Sequence, residues 1–459
     1  MNVSSSTLSR SGIAAATPAR STNTPGSLYA LFWRWHFYAG LFVLPFILIL
    51  SITGSIYLFK PQIERWEERP FRELGTANTV TPDKQLAAVI AADPGARFNH
   101  YRLPREPGDA AMIQVGMRDG EMREIYVSPQ GRVLGSLDPA ARIPAVVARI
   151  HGSLLMGRWG DGLVELAASW TIVMMLTGLY LWWPRPMRLA GTVWPRPWLR
   201  GRALLKDLHR VVGFWVAGLV LVTLASGLPW ANVWGGAFAW SRAELGLVKG
   251  PRSWKVGTER AAPAHVHGMM PMAPPPIFAA REGLPLTTFV ERARAEGLAF
   301  PALVLPPHAP QMFGPPTADV WTVKSMAQNR LLDRQVTYDP RTGREIGRSG
   351  FADQHVIDRI VNTGVAWHEG QLFGVFNQIV GVLTALALVS LSVLGVLMWL
   401  RRKPEGGLGA PPPAQLPKRW IISGVVVLGI LLPLFGASVL VILGVDRLRA
   451  ALVRSRAKA

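Results

Sequence analysis

The chain has 459 residues, 49% of them hydrophobic, with 49 basic against 29 acidic side chains, a net charge of +20, and no cysteine. Without thiols there can be no disulfides, thiolate nucleophiles, cysteine-held iron–sulfur clusters or covalently attached c-type heme. So large a basic excess would suit nucleic acid, but here it lies beside apolar runs, which points to lipid headgroups instead.

Residues 1–30 are rich in Ser, Thr and Ala, lack an apolar segment, and read as a disordered cytoplasmic tail rather than a cleaved signal. Residues 31–59 predict a first membrane span. An outer domain is expected over 60–150, where TPDKQLAAVIAADPG (81–95) reads as a capped short helix. MIQVGM and REIYVSPQGRVLG alternate like strands joined by turns. A second span with its lead-in covers 151–184, a basic loop 185–208, and a third span 209–232. A second outer domain is expected over 233–367, where QVTYDPRTGREIG echoes VSPQGRVLG and residues 261–316 are proline-dense. A fourth span at 368–400, a loop at 401–419, a fifth span at 420–445 and a tail at 446–459 complete the chain. Each span offers about 18 or more residues, enough to cross roughly 30 Å of hydrocarbon as a helix.

Charge sets the orientation. Within 184–210 the only acid among many Lys and Arg is Asp207, and within 401–419 it is Glu405. The long segments 59–150 and 233–369 are close to balance. The amino terminus and both basic loops therefore belong inside and the long segments outside. Trp33, Trp35, Trp182, Trp183, Trp399 and Trp420 fall at the inner edge, as interfacial anchors do.

The two halves repeat. His151–Trp183 lies without a gap on His368–Leu400, with a glycine 27 residues after each histidine (Gly178, Gly395) and a tryptophan four further on (Trp182, Trp399). His36 and His209 are each followed by glycine at +4 (Gly40, Gly213) and by Thr53-Gly54 or Ser226-Gly227 at +17 and +18. The expected fold is thus a mainly α-helical membrane protein. It is a duplicated span–outer domain–span unit forming a four-helix bundle core, plus a fifth C-terminal span, with small α+β domains outside. An axis along the membrane normal relates the units.

That symmetry pairs His36 with His209 near the inner surface and His151 with His368 near the outer one. Imidazoles opposed across a bundle can ligate a heme iron from both faces, so two b-type hemes at two depths are expected. For any single histidine, an interfacial anchor or helix-end group is the ordinary alternative. The +4 and +18 glycines suit either a flat macrocycle or close helix packing. Arg34, Arg149 and Arg210 are read as topology charges, with propionate pairing the alternative. From His368 to Trp399 a continuous helix would run roughly 46 Å, so the outer histidines should lie at or above the outer headgroups, with a helix break among Gly152, Gly157, Gly160 and Gly162 in the first copy.

A second candidate site is the cluster His265, His267, Met269, Met270 and Met272, soft ligands suited to Cu(I), against the reading of a Met-rich loop. His100, His308 and His355 have no repeat partner and read as ordinary outer histidines. Nothing resembles an ATP or NAD(P) loop, so electrons would enter from a quinol or a separate reductase.

The stretches WRWHFYAGLF, YVSPQGRVLG, ARIHGSLLMG, LTGLYLWWPR, KDLHRVVGFW, YDPRTGREIG and WHEGQLFG, spread over roughly 30–402, resemble the PepSY-associated transmembrane helix family of bacterial inner-membrane proteins. That resemblance implies PepSY-like periplasmic domains, bis-histidine heme b in at least some members, and reduction of ferric siderophores in the periplasm. Carried onto this chain, the ligands are His36, His209, His151 and His368. The alternatives are a membrane-anchored PepSY module that binds or inhibits a periplasmic peptidase, and a copper-handling protein.

Overall fold

The computed structural model describes residues 28–183, 189–248, 283–311, 316–411 and 419–456. The first half runs α1 (Leu28–Leu58), α2 (Lys60–Glu67), α3 (Pro82–Ala92), β1 (Arg97–Arg102), β2 (Ala111–Gly116), β3 (Met122–Val127), β4 (Val133–Leu137), α4 (Ile143–Ser153) and α5 (Gly157–Trp182). The second runs α6 (Gly201–Gly227), α7 (Asn232–Glu244), α8 (Leu286–Ala295), β5 (Ala302–Leu305), β6 (Trp321–Ser325), β7 (Arg334–Tyr338), β8 (Glu345–Gly350), α9 (Val356–His368) and α10 (Val375–Leu400). Two helices follow, α11 (Arg419–Leu431) and α12 (Pro433–Arg456).

Among the described residues, four helices are long and apolar enough to cross a membrane: Leu28–Leu58, Gly157–Trp182, Gly201–Trp230 (α6 with a short 3-10 extension) and Val375–Leu400. They close a square in which α1 and α6 each pack on both α5 and α10, so that α1 faces α6 and α5 faces α10 across the diagonals. The interior is apolar, with Ala39, Val43, Ile47, Met174, Met175 and Val220 buried together. Lipid offers no hydrogen bonds, so a buried carboxylate here needs a partner. Glu165 of α5 finds one by accepting the Val233 and Trp234 backbone N–H groups at 2.8 and 3.0 Å, at the start of α7.

The expected fifth span is not one helix. It breaks at Leu432–Pro433, where α11 ends and the next proline has no N–H to extend the ladder. The chain folds back sharply enough that a Cβ on Gly436 would lie 2.9 Å from the Gly429 Cα.

The two domains expected outside the membrane are also more closely joined than the sequence suggests. Their strands form one antiparallel sheet in the order β4-β3-β2-β1-β5-β6-β7-β8, with β1 and β5 meeting at Tyr101–Val304 and Arg102–Leu303. α3 and α8 share the core beneath it through Val89, Phe289 and Val290. Asp83 of α3 caps α8 by accepting the Leu286 and Thr287 N–H groups, both at 2.9 Å. The expected helix at 81–95 forms, with Thr81 accepting from Lys84 N–H, and both strand–turn–strand motifs are hairpins.

Buried ion pairs tether the short helices α4 and α9 that lead into α5 and α10. Arg142, at the amino end of α4, contacts Glu67, Glu68 and Glu124 at 2.8–3.0 Å. Burial pulls the Glu68 carboxyl up, but the Arg102 and Arg142 guanidiniums and the Tyr126 hydroxyl together hold the group below the usual carboxylate range. Asp358 of α9 pairs with Arg242 of α7 at 2.7 Å, both side chains buried. Stranding one charge of such a pair costs about 3–5 kcal/mol. Asp358→Ala should therefore destabilise the detergent-solubilised protein by that order in a denaturant titration, and the double change Asp358→Leu with Arg242→Met should cost less.

Candidate functional site, two histidine pairs across the bundle

The four histidines singled out by the repeat come together as two pairs. His36 of α1 and His209 of α6 stand with ring centroids 6.4 Å apart and planes at 87°. His151 of α4 and His368 of α9 stand 6.3 Å apart at 76°. The outer pair sits on α4 and α9 rather than on the spans. The chain breaks after each, at Leu154 and Gly157 in one half and at Gly370 and Gly374 in the other, all with positive φ. Those breaks relieve the excess length foreseen between His368 and Trp399. Gly160 and Gly162 instead continue α5 as helix.

Three of the four imidazoles lean on a neighbouring helix at a glycine. A Cβ on Gly178 would lie 3.0 Å from Cε1 of His36, one on Gly54 3.2 Å from His151, and one on Gly227 3.1 Å from His368. Since the +18 glycine from His36 is Gly54, the two pairs lie roughly 27 Å apart along α1 at 1.5 Å per residue.

Hydrogen bonds fix the protons. Nδ1 of His36 donates to the Met174 carbonyl at 3.0 Å and meets Thr177 Oγ1 at 3.2 Å. Nδ1 of His368 donates to the Thr223 carbonyl at 3.0 Å and meets Ser226 Oγ at 3.3 Å. Nδ1 of His151 meets Thr53 Oγ1 at 2.9 Å, and that hydroxyl already donates to the Ile49 carbonyl at 2.7 Å. A carbonyl can only accept, and a hydroxyl whose proton is committed must accept too. Nδ1 therefore carries the hydrogen in all three, leaving the Nε2 lone pair free, as a metal-ligating imidazole requires. No hydrogen bond to any of the four Nε2 atoms occurs among the described residues.

The separation has a chemical meaning. Two imidazoles that each hold a first-row metal ion at about 2 Å have ring centres roughly 6 Å apart. Among the described residues no group of three or more His, Cys, Asp or Glu side chains is placed to hold a metal. Each pair could supply two nitrogen ligands to a metal ion, whose remaining ligands would have to come from a bound group such as a planar tetradentate one.

The other candidates separate from this site. His265, His267, Met269, Met270 and Met272 lie outside the described residues. Burial, then Arg102 and Lys324, pushes His100 down to about 3, so it stays neutral. His308 lies 3.7 Å from Asp319, and His355 caps α9 by accepting Ile357 N–H. Arg34, Arg149 and Arg210 bond the carbonyls of Pro411, Ala140 and Trp182.

Thr177 was missed in the sequence, although Thr177-Gly178 repeats the hydroxyl–glycine step of Thr53-Gly54 and Ser226-Gly227. Its place in a different span hid it. Thr53→Val removes the acceptor from His151 while keeping the side-chain shape. In 15N spectra of histidine-labelled protein, His36, His151 and His368 should show the Nδ1-protonated tautomer, and Thr53→Val should shift the His151 resonances alone.

The model for the PepSY-associated TM region matches residues 33–402, from the first turns of α1 to the end of α10, and spans all four paired histidines. No curated protein matches the chain. With four-fifths of its length and its whole helical bundle within that match, the chain belongs to the PepSY-associated transmembrane family.

Proposed function

We propose that this protein is a diheme, b-type electron carrier of a bacterial inner membrane that reduces a ferric siderophore on the periplasmic side and so releases its iron. The observation carrying the reading is the spacing of the two imidazole pairs, each opposed across a bundle diagonal at the separation that one shared iron requires. Heme b, when bound, supplies a one-electron iron centre at each pair.

The chain's own residues do the rest. His36 and His368 keep Nδ1 protonated against helix carbonyls and so turn a basic Nε2 toward the cofactor. Gly54, Gly178 and Gly227 let the rings of His151, His36 and His368 lie against the neighbouring helix without a Cβ in the way. Val43, Ile47, Met174 and Val220 exclude water from the interval between the pairs. A dry interval of this kind keeps reducing equivalents from leaking before they reach the outer pair.

Direction follows from charge. Arg401, Arg402 and Lys403 beyond α10, with Arg200, Arg202 and Lys206 around the start of α6, support a cytoplasmic position for that end of the bundle. The amino terminus then lies inside and the sheet in the periplasm. In this reading the two halves are duplicated span–domain–span units, with α11 and α12 an addition to them. Electrons come from a quinol or a separate reductase at the membrane. The acceptor is Fe(III) held by hard oxygen donors. Reduction to Fe(II) weakens those bonds, so one electron suffices for release.

Purified protein should show a Soret band and about two hemes per chain. His151→Ala and His209→Ala should each remove about one heme and leave the other, measured as pyridine hemochrome per mole of protein. Loss of neither would refute the pairing.

A further inference from the structure

The four imidazole supports obey one rule, and one of them breaks it. Each histidine faces the carbonyl four residues before a glycine on the neighbouring helix: Met174 before Gly178 for His36, Leu50 before Gly54 for His151, Thr223 before Gly227 for His368 and Leu391 before Gly395 for His209. In three of them the residue just before the glycine is a hydroxyl, Thr177, Thr53 or Ser226, within 2.9–3.3 Å of Nδ1. In the fourth that residue is Leu394.

The consequence is visible at His209. Its Nδ1 is buried without a hydrogen-bond partner, since the Leu391 carbonyl faces it from the equivalent place but outside hydrogen-bond geometry. A Cβ on Gly395 would meet nothing within 4 Å, whereas the other three glycines touch their rings. The ring of His209 therefore stands off the helix that should hold it.

We infer that the hydroxyl–glycine step is a positioning device for the axial imidazoles, and that its loss at Leu394 makes the inner pair the more readily reduced and more loosely held of the two. This rests on the diheme reading. An imidazole that donates its Nδ1 proton to a good acceptor is a more basic ligand through Nε2, and a more basic axial ligand favours ferric over ferrous iron. Both outer imidazoles have such an acceptor. The inner pair has one, at His36, and lacks the other. With heme at both pairs, the first electron taken up would accordingly rest at the inner one.

The experiment restores the missing hydroxyl. In a His151→Ala background, which leaves the inner pair as the sole centre, Leu394→Thr is compared with Leu394→Val, which has the same shape and no hydroxyl. Gly395 leaves the room the His209 ring needs to close on a threonine. Leu394→Thr should favour the ferric form about tenfold over Leu394→Val, a fall of 59 mV for a one-electron couple in a potentiometric titration. It should also slow heme loss to apomyoglobin. Thr177→Val, acting on the facing imidazole, should move the potential the other way, and Thr177→Ser should restore it. Equal potentials for threonine and valine at 394, together with no effect of Thr177→Val, would overturn the inference. Heme bound normally in that case would leave the diheme reading standing. A protein that binds no heme at all would remove both.

Discussion

Everything in this bundle depends on where four histidine protons go. An imidazole offers a lone pair at Nε2 only if its other nitrogen keeps the hydrogen, and a buried N–H needs an acceptor. For His36, His151 and His368 the acceptors are main-chain carbonyls and committed hydroxyls of a neighbouring span, next to a glycine that lets the ring come close. Water could not perform this service at bilayer depth. The helices must therefore pack in one register for the histidines to be usable ligands. Fold and site are one constraint, because the contacts that hold α1 against α5, α4 against α1 and α9 against α6 also set the tautomers.

The outer pair shows how the polar half of the molecule is fastened to the apolar half. His151 and His368 ride on α4 and α9, short helices fixed at one end by buried charges, Arg142 with three glutamates and Asp358 with Arg242. Left-handed residues separate them from the spans. The first tether leads to α2 and β3 of the continuous sheet, the second to α7, which packs against α5. His151 and His368 are thereby held against the ends of α1 and α6.

Much of this could be read from the sequence because repetition turns spacing into geometry. The matching offsets from His36 and His209, and from His151 and His368, require equivalent surroundings, and equivalent elements in a closed bundle face one another. Hydropathy located the four long spans for the same reason it works generally, since lipid tolerates little else. The unforeseen features rest on long-range contacts. Pairing of β1 with β5 joins residues about 200 positions apart, and neither strand shows a marked alternation. The break before Pro433 lies in an apolar run whose composition is that of a span. The hydroxyl–glycine step was visible at Thr53 and Ser226, but its meaning required knowing which helix lies beside which histidine. Leu394 has no signal of its own until that is known.

The paired imidazoles approach with their planes nearly perpendicular, at 87° and 76°. Low-temperature electron paramagnetic resonance of the oxidised, purified protein reads this arrangement directly, because perpendicular axial imidazoles give ferric heme a strongly anisotropic low-spin signal. The account predicts two such signals in equal amounts and no high-spin iron. High-spin heme, a single low-spin species, or no heme signal would contradict it.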